Sequence, residues 1–111
     1  MSSAQLNSLV ERHCSTIKQM FAEFLSHYGD RTVGTKPNED AMGVLHKLKG
    51  SSGSIGFADI NQSATTLEAG LKNWPNEQDG RYEAEQMRAL KGLAALVNNV
   101  EPYHSKLFSQ A

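Results

Sequence analysis

The chain has one cysteine, Cys14, among its 111 residues. A lone thiol cannot form an internal disulfide, so stability must come from a packed core, as in a reducing compartment. A cytoplasmic location is the expectation. Neither charge sign dominates: 11 Lys and Arg stand against 12 Asp and Glu, a net charge of −1. Binding to a phosphate backbone wants a clear basic excess, so a nucleic-acid partner is not expected. Long apolar runs are missing, which argues against a membrane span. Met1-Ser2-Ser3-Ala4-Gln5 has neither a basic region nor an apolar stretch and does not read as a secretory signal. Strand signals are nearly absent, since no Val-, Ile- or Thr-rich run alternates with period two. Also missing is a Gly-x-x-x-x-Gly-Lys-Ser/Thr or Gly-x-Gly-x-x-Gly loop, so the chain should not bind ATP by itself. No histidines or cysteines combine at metal-ligand spacing, and His13 and Cys14 are merely adjacent. No metal or other cofactor is expected on this chain.

What is present is helical periodicity along nearly the whole length. The size suits one domain spanning 1–111, with no repeat or linker. About two-thirds of the unfolded surface can be buried at this length, enough for a core but not for a core plus a deep cleft. Leu6, Leu9, Val10, His13, Ile17, Met20, Phe21, Phe24 and Tyr28 fall on one face of a helix from about Ser3 to Tyr28. Residues 31–36 read as a polar connector. Pro37 suits the first turn of a second helix, with Glu39 and Asp40 at the positive end of its dipole. Ala41, Val44, Leu45, Leu48, Ser52 and Ile55 form its inner face, and Gly56 follows as a C′ glycine. A third helix from about Ala58 to Lys72 turns Ile60, Ala64, Leu67 and Leu71 inward. Asn73-Trp74-Pro75-Asn76 is a break, with Trp74 read as a cap over one bundle end. A fourth helix begins between Asn76 and Gly80 and carries Tyr82, Met87, Leu90, Leu93, Ala94, Leu96, Val97 and Val100. Pro102 must kink or restart it, after which Tyr103, Leu107 and Phe108 can pack as a short final turn. The expected fold is all-α, an antiparallel up-down-up-down four-helix bundle.

The second helix departs from what packing alone needs. Gly50 and Gly53 lie in its interior, each costing about 1 kcal/mol relative to alanine. With Ala41 set at zero and about 100° per residue, the apolar residues cluster within roughly 60°. His46 then falls near 140°, Gly50 near 180° and Gly53 near 120°, on the other side, with Lys49 and Met42 flanking near 80° and 100°. An outward imidazole thus stands beside a patch cleared of side chains, with a cation one turn away. Imidazole is a nucleophile able to form a covalent intermediate. If it accepts a phosphoryl group, a nearby ammonium stabilises the charge gathering on the equatorial oxygens.

The run Leu45-His46-Lys47-Leu48-Lys49-Gly50-Ser51-Ser52-Gly53-Ser54-Ile55-Gly56 resembles the signature of histidine-containing phosphotransfer (HPt) domains, the four-helix carriers of multistep two-component phosphorelays. The resemblance implies a phosphocarrier without its own ATP site. His46 would carry the phosphate on Nε2, Lys49 would assist electrostatically, and Gly50 and Gly53 would keep the site open. It implies receiver domains as partners, such as that of a hybrid sensor histidine kinase, with Mg²⁺ on the receiver. A polar residue on the next helix often holds the other imidazole nitrogen in this family. It is glutamine in many relay members and glutamate in the related domain of chemotaxis kinases. The matching position is Glu68, 22 residues after His46. Glu68 is either that orienting group or a plain exposed helical acid. Lys72 would add positive charge to a docking rim, and Met42 is either part of that rim or a boundary residue.

Blander roles go with the other candidates. Gly50 and Gly53 could instead serve close helix packing, though they lie opposite the apolar stripe. His13 reads as a hydrogen-bonded core or boundary histidine, His27 and His104 as surface residues, and Lys47 as solvated. The competing function is a non-catalytic helical adaptor that docks signalling proteins without carrying phosphate. A small enzyme or metal-binding bundle is disfavoured by the lack of paired carboxylates with Glu-x-x-His spacing. The starting Met1 and short tails favour a free-standing carrier, and a monomer is the default expectation.

Overall fold

The computed structural model describes residues 2–29, 37–73 and 80–108. The polar connector at 31–36 and the Trp74-Pro75-Asn76 break lie outside the described residues. Four helices and a final turn follow in order: α1 Ser3–Gly29, α2 Glu39–Ser54, α3 Ala58–Lys72, α4 Gly80–Asn98, and a short 3₁₀ turn at Pro102–His104. Each helix packs on its sequence neighbour, and α4 returns to α1 along a shorter seam, closing a four-helix bundle. None of the described helices is long and apolar enough to cross a membrane.

The apolar stripes read from periodicity supply the core. Val10, Ile17, Phe21, Phe24 and Tyr28 of α1 are buried, and the rings of Phe21, Phe24 and Tyr28 stack in sequence with centroids 6.2 and 5.4 Å apart. All six expected inner residues of α2 are buried, Ser52 among them. Ser52 is tolerated there because its Oγ donates to the Lys49 carbonyl at 3.0 Å. On α3, Ile60, Ala64, Leu67 and Leu71 face inward as expected, and so does Glu68.

The structure corrects the sequence reading in three places. Pro37 is not in the first turn of α2 but precedes the N-cap, Asn38, whose Oδ1 accepts from the Ala41 amide at 2.7 Å. An Asx side chain that satisfies an orphan amide outranks proline as the start signal. Next, α4 stops at Asn98, short of Val100, whereas Pro102 opens a separate 3₁₀ turn, the restart expected at that proline. Val100 is therefore buried from outside the helix. Finally, Met87 and Leu96 are substantially exposed, as are Tyr103 and Leu107 beyond the helix, so the inner face of α4 is narrower than its apolar residues imply.

The α2–α3 turn is as expected. Gly56 sits at φ +89°, with the amides of Gly56 and Phe57 donating to the Gly53 and Ser52 carbonyls at 3.2 and 2.8 Å. That pair of bonds is a Schellman ending, and its left-handed residue favours glycine. The C-terminal segment laces this turn to the bundle. Ser105 Oγ donates to the Ile55 carbonyl at 2.5 Å and the Lys106 amide to the Gly56 carbonyl at 3.0 Å.

Candidate functional site

His46 stands on the solvent side of α2, because Val44, Leu45 and Leu48 take the buried side. Its side chain is 66% exposed. The ring is nonetheless held. Nδ1 lies 3.0 Å from Oε2 of Glu68, whose side chain is only 5% exposed. A carboxylate has no hydrogen to give, so Nδ1–H donates, and the neutral ring keeps its lone pair on Nε2. Glu68 is therefore a buried acid in contact with the ring, not a plain exposed helical acid.

The other oxygen of Glu68 is also taken. Lys49 Nζ donates to Oε1 at 2.8 Å, and Lys72 Nζ, one turn further along α3, lies 3.9 Å from the same oxygen. Burial of the Glu68 carboxyl raises its pKa. The hydrogen bonds from Lys49 and His46, with the charges of Lys49 and Lys72, outweigh that and hold it below the ordinary value. One buried anion thus ties α2 to α3 and sets the position of both the imidazole and the ammonium.

The two interior glycines have different surroundings. A Cβ on Gly50 would meet nothing within 4 Å, so its bare backbone faces open space beside His46. A Cβ on Gly53 would come within 2.8 Å of Asn61 Nδ2. Asn61 reaches from α3 to donate to the Lys49 carbonyl at 2.8 Å, so Gly53 makes room for an internal crosslink. Gly53, though exposed, thus also has the packing role that was the alternative reading of the two glycines. Asn61 carried no sequence signal beyond its place near the start of α3. Gly70 carries no such signal either. It lets Gln86 and Tyr82 of α4 close onto α3, where the Tyr82 hydroxyl donates to the Gly70 carbonyl.

Met42, half-buried, lines a shallow cleft of about 280 Å³ with Pro37, Glu39, Leu71 and Lys72, next to the His46 site. His13 is half-buried and its ring Nδ1 lies 3.0 Å from the Leu9 carbonyl, as a boundary histidine should be. His104 is exposed, with its Nδ1 accepting from the Glu101 amide at 3.1 Å. Among the described residues, no group of three or more His, Cys, Asp or Glu could hold a metal ion.

The chain matches the family model of the Hpt domain over residues 10–101. Comparison with curated proteins and with solved structures returned no match. With four-fifths of its length matched, the chain belongs to the Hpt domain family. It is a phosphorelay intermediate, a carrier that passes phosphoryl groups between receiver domains and has no ATP site of its own.

Proposed function

We propose that His46 is the residue that carries the phosphoryl group, through Nε2. The observation that carries this reading is a ring two-thirds exposed whose Nδ1–H is bound by a buried carboxylate. The tautomer held by Glu68 directs the lone pair of Nε2 outward. In the forward step Nε2 attacks the phosphorus of a receiver's aspartyl phosphate. The N–P bond forms as the P–O bond breaks, and the aspartate leaves as a carboxylate. The ring, still bearing Nδ1–H, becomes a cation, and the Glu68 carboxylate opposite stabilises it. Lys49 stabilises the charge on the equatorial oxygens in flight. The next receiver's aspartate reverses these bond changes. Mg²⁺ is supplied on the receiver.

Gly50 leaves the approach to His46 bare, and Met42 and Lys72 form the rim on which a receiver docks. The upstream donor is the receiver domain of a hybrid sensor kinase, and the carrier acts as a monomer. Incubation with a phosphorylated receiver and Mg²⁺ tests the assignment. Label should appear on the chain, acid-labile and alkali-stable, and His46→Gln should abolish it without changing the helical circular dichroism. Equal labelling of the variant would overturn the assignment.

A further inference from the structure

Lys49 has two duties that conflict. In the resting site its ammonium is bound to Glu68 Oε1 at 2.8 Å. During transfer it has to face the phosphoryl oxygens on the outer side of His46. Leaving Glu68 would strip the closer of two donors from a carboxylate that is 95% covered, and an unpaired buried charge is costly. The imidazole Nδ1–H holds only Oε2, so Oε1 would be left open.

A second cation already faces that atom. Lys72 Nζ is 3.9 Å from Oε1, one turn along α3 from Glu68 itself. Its side chain is 62% exposed, so it is free to close the remaining distance. Among the described residues Lys72 makes no other ion pair, although Glu39 lines the same cleft. We propose that Lys72 is a positioning residue that takes over Oε1 of Glu68 when Lys49 turns from it to the phosphoryl group on His46. The buried carboxylate then keeps a partner on each oxygen in both states, and Lys49 is released without an uncompensated charge. This rests on His46 as the phosphoacceptor.

The test separates this role from docking by leaving the receiver out. Phosphoramidate is a small donor: Nε2 forms its bond to phosphorus as the donor's P–N bond breaks and ammonia leaves. The chain alone is treated with phosphoramidate, and the rate of phosphohistidine formation is followed in wild type, Lys72→Gln, Lys72→Arg, Glu68→Gln and the Glu68→Gln/Lys72→Gln pair. Lys72→Gln should slow phosphorylation about three- to fivefold, the scale of one ion pair of this exposure. Lys72→Arg should restore the rate, and Lys72→Gln should have no further effect in the Glu68→Gln background. The Tm of the Lys72→Gln variant should fall more in the phosphorylated than in the unphosphorylated protein. A wild-type rate in Lys72→Gln, or a loss that persists without Glu68, would overturn the hand-over. Labelling of His46→Gln by phosphoramidate would instead overturn the phosphoacceptor assignment beneath it.

Discussion

Glu68→Gln is the substitution that most directly probes the site. Glutamine keeps the volume and one acceptor oxygen but turns the other into an amide donor. Two cationic or polar donors, Lys49 at 2.8 Å and His46 at 3.0 Å, then compete for a single acceptor. A hydrogen bond to a charged group is worth about 1.5–3 kcal/mol. Both donors reach solvent, with Lys49 28% and His46 66% exposed, so the displaced one is rehydrated and the loss shrinks. The expected cost at pH 7 is about 1–2 kcal/mol of stability. The pH dependence follows from the lowered pKa of Glu68. In the unfolded chain the group titrates near 4.5, and in the folded chain it titrates lower. The unfolded state therefore binds the proton first, so the carboxylate's contribution is complete above about pH 4.5 and is lost as pH falls through the folded value. Urea unfolding followed by circular dichroism at a series of pH values measures this. The gap between wild type and Glu68→Gln should be constant near neutrality and narrow in acid. A gap that does not change with pH would show that the carboxylate's charge is not what stabilises the α2–α3 seam. Transfer from a receiver should also slow, by about tenfold if roughly 1.4 kcal/mol of imidazolium stabilisation is lost.

Three further outcomes follow from the same geometry. Gly50→Ala adds a Cβ that meets nothing within the chain, so it should raise stability by about 0.5–1 kcal/mol in a thermal melt while slowing transfer from a receiver. A rise in stability with unchanged transfer would remove Gly50 from partner access. Gly53→Ala and Asn61→Ala should be non-additive in a double-mutant cycle of unfolding free energies, by about 0.5 kcal/mol or more, because the added Cβ displaces the amide that the second change removes. Additive losses would mean the two residues act separately. The Cys14 thiol, its pKa raised by burial and by Glu101 and Glu11 against the lowering effect of Lys18, should resist alkylation at neutral pH and react only when the chain is unfolded. Rapid labelling of the folded protein would contradict that burial.

Much of this architecture was legible before any coordinates. The inner face of α2 was read correctly to the residue, because a 3.6-residue period leaves Leu48 and His46 on opposite sides whatever the helix packs against. Gly56 was equally legible, since a Schellman ending needs a residue tolerant of positive φ. Pro37 misled because proline at a helix start marks a neighbourhood, and the Asn38 side chain decided which residue capped it. Met87 and Leu96 misled because hydrophobicity says which residues could be inside, not how much partner surface exists to cover them.

The chain's own chemistry thus determined the helices, the inward stripe and the outward imidazole, all of which follow from periods and propensities within one segment. The crossing of α2 and α3 decided the rest. It carried Glu68 under His46 and Lys49, and gave Gly53 to Asn61 while leaving Gly50 bare. Those pairings join residues on different helices, 8 to 22 positions apart. Their distances depend on the relative rotation and rise of two packed cylinders, quantities that no pattern within a single helix encodes.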